Sequence, residues 1–155
     1  MTKLLLSLHV LAAIVAVGPV TVAASMFPPA ARRAQAAGPD AAALGTVRLL
    51  HRICRVYAGV GLAVPVFGFA TASSLGVLGD AWLVVSIVLT AMAAGVLAVL
   101  VLPGQDALLE QLGGAAGSVA AGATGRLAML TGVFNLLWAA VTVLMIIRPG
   151  STTGA

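Results

Sequence analysis

Four apolar runs, each long enough to cross a bilayer, dominate this sequence: about Leu4–Phe27, Val56–Val77, Ala81–Leu102 and Leu127–Ile147. A membrane-spanning helix needs about 20 apolar residues to cover about 30 Å of hydrocarbon. Lipid offers no water to the backbone, so a spanning segment must be a helix or part of a closed barrel. No run alternates with period two, which argues against the barrel. The expected fold is therefore all-α, a four-helix transmembrane bundle forming a single domain over residues 1–148. The tail, residues 149–155, is expected to be disordered on composition. Hydrophobic residues make up 61% of the chain and charged residues 8%, against roughly 25% charged in soluble domains. Four acidic and eight basic side chains could not cover a water-facing surface of this size.

The basic residues set the expected orientation. Arg32, Arg33, Arg48, Arg52, Arg55 and Arg126 fall in the first and third connections, whereas Lys3 and Arg148 fall on the opposite side. This asymmetry places the first and third connections in the cytoplasm and both termini outside. The net charge of +4 is explained by this flanking placement, and no nucleic-acid partner is expected. A competing reading takes Met1–Ser25 as a cleavable signal peptide, with a lysine, an apolar core and the small-residue ending "VAAS". Its apolar core is longer than that of a usual signal peptide. Cleavage would also leave Arg32, Arg33, Arg48, Arg52 and Arg55 outside, so retention is expected.

The first connection is expected to be partly helical. Pro39 and Asp40 follow Gly38 as helix-opening residues, and "RLLHRICRVY" runs into the second span without a breaker. One helix is expected from about Asp40 to Ser73, with a kink at Pro65. Arg48, Arg52 and Arg55 share one side of it. Together with His51 they form a cytoplasmic basic collar, read either as a stop-transfer and lipid-headgroup anchor or as an anion or partner-protein site. In the third connection Asp106 and Glu110 are four apart. They read as the solvated face of a short surface helix or, alternatively, as a carboxylate pair for acid/base or metal chemistry. The Gly-rich stretch from Gly113 to Gly125 reads as flexible and lacks a GxxxxGK[ST] phosphate loop.

Helices in lipid associate through small residues and a few hydrogen bonds. The helix-packing candidates are Ala91, Ala94, Gly95 and Ala98 on the third span, and Gly61, Gly68 and Ala72 on the second. On the first span they are Ala12 and Ala16, followed by an expected kink at Gly18-Pro19. These stripes suit a tight bundle or one that self-associates. No Asp, Glu, Lys or Arg occupies the middle of any span, which argues against a carrier coupled to a buried charge. The intramembrane polar candidates are Asn135 and Thr131, with Thr142, Thr90, Ser86, Ser73 and Ser74 elsewhere in or at the ends of the spans. Asn135 reads as an interhelical hydrogen-bonding residue or, alternatively, as a ligand contact.

The histidines are His9 and His51. His9 lies little more than a turn inside the outer surface and His51 at the inner one. At 1.5 Å per helical residue they stand about a membrane thickness apart, a poor pair for bis-histidine haem. Cys54 is three residues from His51, and such a site would still lack third and fourth metal ligands. The one cysteine also excludes an intrachain disulfide and any CxxC motif. Met26, Met92, Met129 and Met145 are too scattered for a copper path. His9 reads as an interfacial hydrogen-bonding residue or as a single haem or metal ligand.

The opening "SLHVLAAIVAVGPV" and the closing "VTVLMIIRPG" resemble a family of bacterial four-helix integral membrane proteins of unknown function. That family is in turn similar to the membrane domain of copper-resistance D proteins, which tends to open on an L-H-[VIL]-x-[AG] helix. The resemblance implies a four-span fold and a membrane address, without an activity. A more distant similarity is to the haem-binding membrane protoporphyrinogen oxidase, which implies His9 as the haem ligand. The expected function is a non-enzymatic, multi-pass plasma-membrane protein, acting as an accessory or small subunit of a membrane complex or as a homo-oligomer. Its partners would be the lipid bilayer and other membrane subunits or itself, with no cofactor. The alternative is a haem- or copper-handling redox protein using His9, with haem b as the cofactor.

Overall fold

The computed structural model describes residues 1–38, 40–114 and 119–150. These residues form helices α1 (Thr2–Ala37), α2 (Ala41–Val60), α3 (Ala63–Leu75), α4 (Ala81–Gly95), α5 (Leu102–Gly113) and α6 (Ala123–Ile147). A π-helical segment, Val96–Val101, joins α4 to α5. Taken with their continuations, four helices are long and apolar enough to cross a membrane: Thr2–Ala37, Ala41–Leu75, Ala81–Gly113 and Ala123–Ile147.

Three of these helices are longer than a bilayer needs. The 36 residues of α1 span about 54 Å at 1.5 Å per residue, against about 30 Å of hydrocarbon. Its apolar run ends at Phe27, yet the helix continues through Pro28 and Pro29 to Ala37. The first connection is thus shorter than the sequence suggests. A proline lacks the N–H that would bond the carbonyl four residues back, but Phe27 and Pro28 are buried against the rest of the bundle. Packing holds the backbone helical where propensity alone would end it. Gly18 and Pro19 likewise lie within the continuous helix.

The second long helix is interrupted where chemistry requires it. Asp40 caps α2, its side chain accepting from the Ala42 amide at 2.9 Å, which satisfies one of the unpaired N–H groups of the first turn. At the far end, Pro65 cannot donate to the Gly61 carbonyl, the partner an α-helix would assign it. That carbonyl instead accepts from the Val64 amide at 3.1 Å. The tighter turn separates α2 from α3 just before the proline. Helix α3 ends at Gly76, whose left-handed φ of 72° is the usual glycine helix stop.

The third helix also departs from expectation. It does not end near Leu102 but runs through Pro103 to Gly113, so Asp106 and Glu110 lie on its extension and not on a separate short helix. Its buried residues Ala93, Leu97, Val101 and Gln105 recur every four positions. In an ideal α-helix four residues overshoot a turn by about 40°. The wider π turn absorbs that drift and keeps the four residues facing inward. Before the π segment α4 packs on α6, and beyond it α5 packs on α2.

Helix α1 is central, contacting α2, α3, α5 and α6. The main core joins Val20, Ala24, Phe27 and Ala31 of α1 to Val47 and Cys54 of α2, Leu108 of α5, and Leu127 and Phe134 of α6. A smaller cluster of Ala72, Trp82 and Leu83, with Val77 and Met145 beside it, closes the opposite end. There the Trp82 indole donates to Asp80 at 3.0 Å, and the Arg148 guanidinium sits 5.7 Å over its ring. Outside these clusters the helices present exposed Leu, Val, Ile and Met side chains, as lipid-facing surfaces require. Residues 151–155 and part of the Gly-rich stretch expected to be flexible lie outside the described residues.

Candidate functional site

The densest polar grouping lies where α5 meets α2, beyond the apolar run of the second span. His51, expected in an exposed collar, is in fact buried at 7% exposure. Its Nδ1 donates to Gln105 Oε1 at 2.9 Å, and the Gln105 amide nitrogen donates to Cys54 Sγ at 3.5 Å. Gln105 and Cys54 are fully buried. On the other side of the ring, Nε2 lies 2.9 Å from Asp106 Oδ1. That approach lacks hydrogen-bond alignment, so it acts as an ion contact when the ring is protonated. The Asp106 carboxylate is half exposed, and solvent screens such a contact.

Sequence reasoning missed Gln105. Read as part of a connection after "LPG", it carries no signal of burial. The signal lay in the four-residue spacing from Ala93 through Gln105, which becomes an inward face only with the π segment in place. Cys54 and His51 are joined through Gln105. Among the described residues no three of His, Cys, Asp and Glu gather closely enough to hold a metal ion.

Of the remaining collar residues, Arg48, Arg52 and Arg55 are exposed. Arg52 and Arg55 join His51 and Val56 in lining a shallow groove of about 410 Å³. Glu110 is exposed and the structure does not bring it into the His51 grouping.

His9 lies at the other end of the bundle. Its Nδ1 donates to the Val64 carbonyl of α3 at 2.9 Å, which leaves Nε2 as the ring's remaining nitrogen. Gly68 makes this contact possible: a Cβ there would stand 2.8 Å from His9 Cε1 and 3.1 Å from Nδ1. Val64 is 13 residues from His51 along the second long helix, about 20 Å at the helical rise, so the two histidines do not share a site. Were haem bound at this end, His9 would be the residue holding it. A backbone-anchored Nδ1–H is the arrangement that fixes a ligating imidazole, and His9 Nε2 would be the nitrogen that binds iron.

Asn135 of α6 donates to Ser25 Oγ of α1 at 3.1 Å, tying the two helices together. Its Oδ1 and the hydroxyl of Thr131, one turn away, are buried without a hydrogen-bond partner among the described residues. Ala91 and Ala94 of α4 and Ala98 of the π segment are exposed, and a Cβ on Gly95 would meet open space. Gly61 occupies the α2–α3 turn, close to the carbonyls of Ala58 and Tyr57. Comparison with protein-family models, curated proteins and solved structures found no match to this chain.

Proposed function

We propose that this chain is a multi-pass plasma-membrane protein of bacterial type, without enzymatic activity, that works as a small or accessory subunit or as a homo-oligomer. Its arginine-rich end lies in the cytoplasm and both termini lie outside. The observation that carries the association role is the outward placement of Ala91, Ala94 and Ala98, with open space beside Gly95. Small residues on a lipid-facing helix let a second helix approach closely, and this bundle does not use them for its own packing. Native purification with mass spectrometry of co-purifying chains tests the reading. An assembly that dissociates in an Ala94→Leu/Ala98→Leu variant is expected. Recovery solely as a monomer from native membranes defeats it.

A second reading is favoured by His9. The Nδ1–H···O=C anchor and the clearance at Gly68 suit a haem- or copper-binding imidazole. Haem would supply one-electron chemistry, while this chain would fix the ring and hold iron through Nε2. A Soret band in the purified protein that is lost in His9→Ala would promote this reading over the first. Metal-free protein without a Soret band after expression with added haem and copper would remove it.

A further inference from the structure

We propose that the groove on α2 holds the headgroup of an anionic phospholipid, with Arg52 and Arg55 grasping its phosphate oxygens. The groove is lined by His51, Arg52, Arg55 and Val56. The two arginines are three apart, which makes them neighbours on the helix surface. Neither meets a carboxylate among the described residues, where the one ion contact is His51 with Asp106. Their planar guanidinium forks match phosphate oxygens bidentately. Asp106 contacts His51 of the groove wall, and the two guanidinium groups outweigh that one carboxylate.

The apolar side of the groove separates a lipid from a free oxyanion. Val56 begins the apolar run of the second span, so a headgroup seated on Arg52 and Arg55 leaves its glycerol and first methylenes against apolar surface. Inorganic phosphate shares the oxyanion chemistry but makes no use of that wall. The proposal rests on the multi-pass reading, because it needs this part of α2 at the bilayer surface.

The test is native mass spectrometry of the full chain in detergent, titrated with phosphatidylglycerol, phosphatidylcholine or inorganic phosphate. The variants are Arg52→Gln/Arg55→Gln and, with the same charge removed outside the groove, Arg32→Gln/Arg33→Gln. All four arginines are exposed, so the variants are expected to fold, and retained helicity is checked by circular dichroism. Phosphatidylglycerol is expected to bind more tightly than phosphatidylcholine. A basic residue beside an anionic surface contributes about fivefold, so losing Arg52 and Arg55 should weaken phosphatidylglycerol binding roughly 25-fold. The Arg32/Arg33 variant should bind as the parent does. Equal loss in both variants means diffuse charge and overturns the site. Equal affinity for the two lipids, or displacement of phosphatidylglycerol by millimolar inorganic phosphate, also overturns it. Failure of the membrane reading would look different: the chain would remain dissolved with no detergent present.

Discussion

The buried link between His51 and Gln105 offers the sharpest test of this structure. Gln105 is fully buried and its Oε1 accepts from His51 Nδ1 at 2.9 Å. Gln105→Leu removes the acceptor and leaves a buried N–H without a partner, which costs about 1–3 kcal/mol. His51→Leu leaves the Gln105 amide short of a partner and costs a similar amount. It also removes the Asp106 contact, but that carboxylate is 52% exposed, and a screened pair of this kind contributes about 0–1 kcal/mol. The weak bond from Gln105 to Cys54 Sγ adds little. In the double variant no donor or acceptor is stranded between the two sites, and replacing both partners by apolar groups is close to neutral. The combined cost should therefore fall below the sum of the single costs by at least about 2 kcal/mol. For a chain of this length 1 kcal/mol moves the melting temperature by about 2–4 °C. Each single variant should thus melt about 4–8 °C lower in detergent, for a cost near 2 kcal/mol, with the double variant well above the additive expectation. Strictly additive shifts would refute a direct His51–Gln105 bond and with it the inward register set by the π segment.

Gly68→Ala places a methyl against the His9 ring, 2.8 Å from Cε1. It should cost about 0.5–1.5 kcal/mol through the lost Val64 bond and cost less in a His9→Ala background, measured by thermal unfolding. Cys54 is the one cysteine and is fully buried, so maleimide labelling should be slow in the folded protein and rapid after denaturation. Labelling at equal rates in both states would place α2 in a different register. Asn135→Leu should lower stability by about 0.6 kcal/mol, the typical value of one interhelical bond in lipid. A loss of several kcal/mol in the same unfolding assay would mean that Asn135 does more than bind Ser25.

The sequence determined the number of long apolar helices, because lipid solvation imposes one requirement on every residue of a span and leaves a run too long to miss. It also marked local features whose cause is local: the helix start at Asp40 and the disruption at Pro65. Only the tertiary structure decided how far the helices continue past their apolar runs. Pro28-Pro29 and Pro103-Gly104 read as breakers one residue at a time, but contacts with neighbouring helices hold them helical. The same holds for His51. Its neighbours in sequence are arginines, which made it look like part of a solvated collar, yet the residue that determines its environment is 54 positions away. Burial and hydrogen bonding between distant segments depend on the phase of each helix about its axis. A six-residue π segment changed that phase, and no composition or charge count records it.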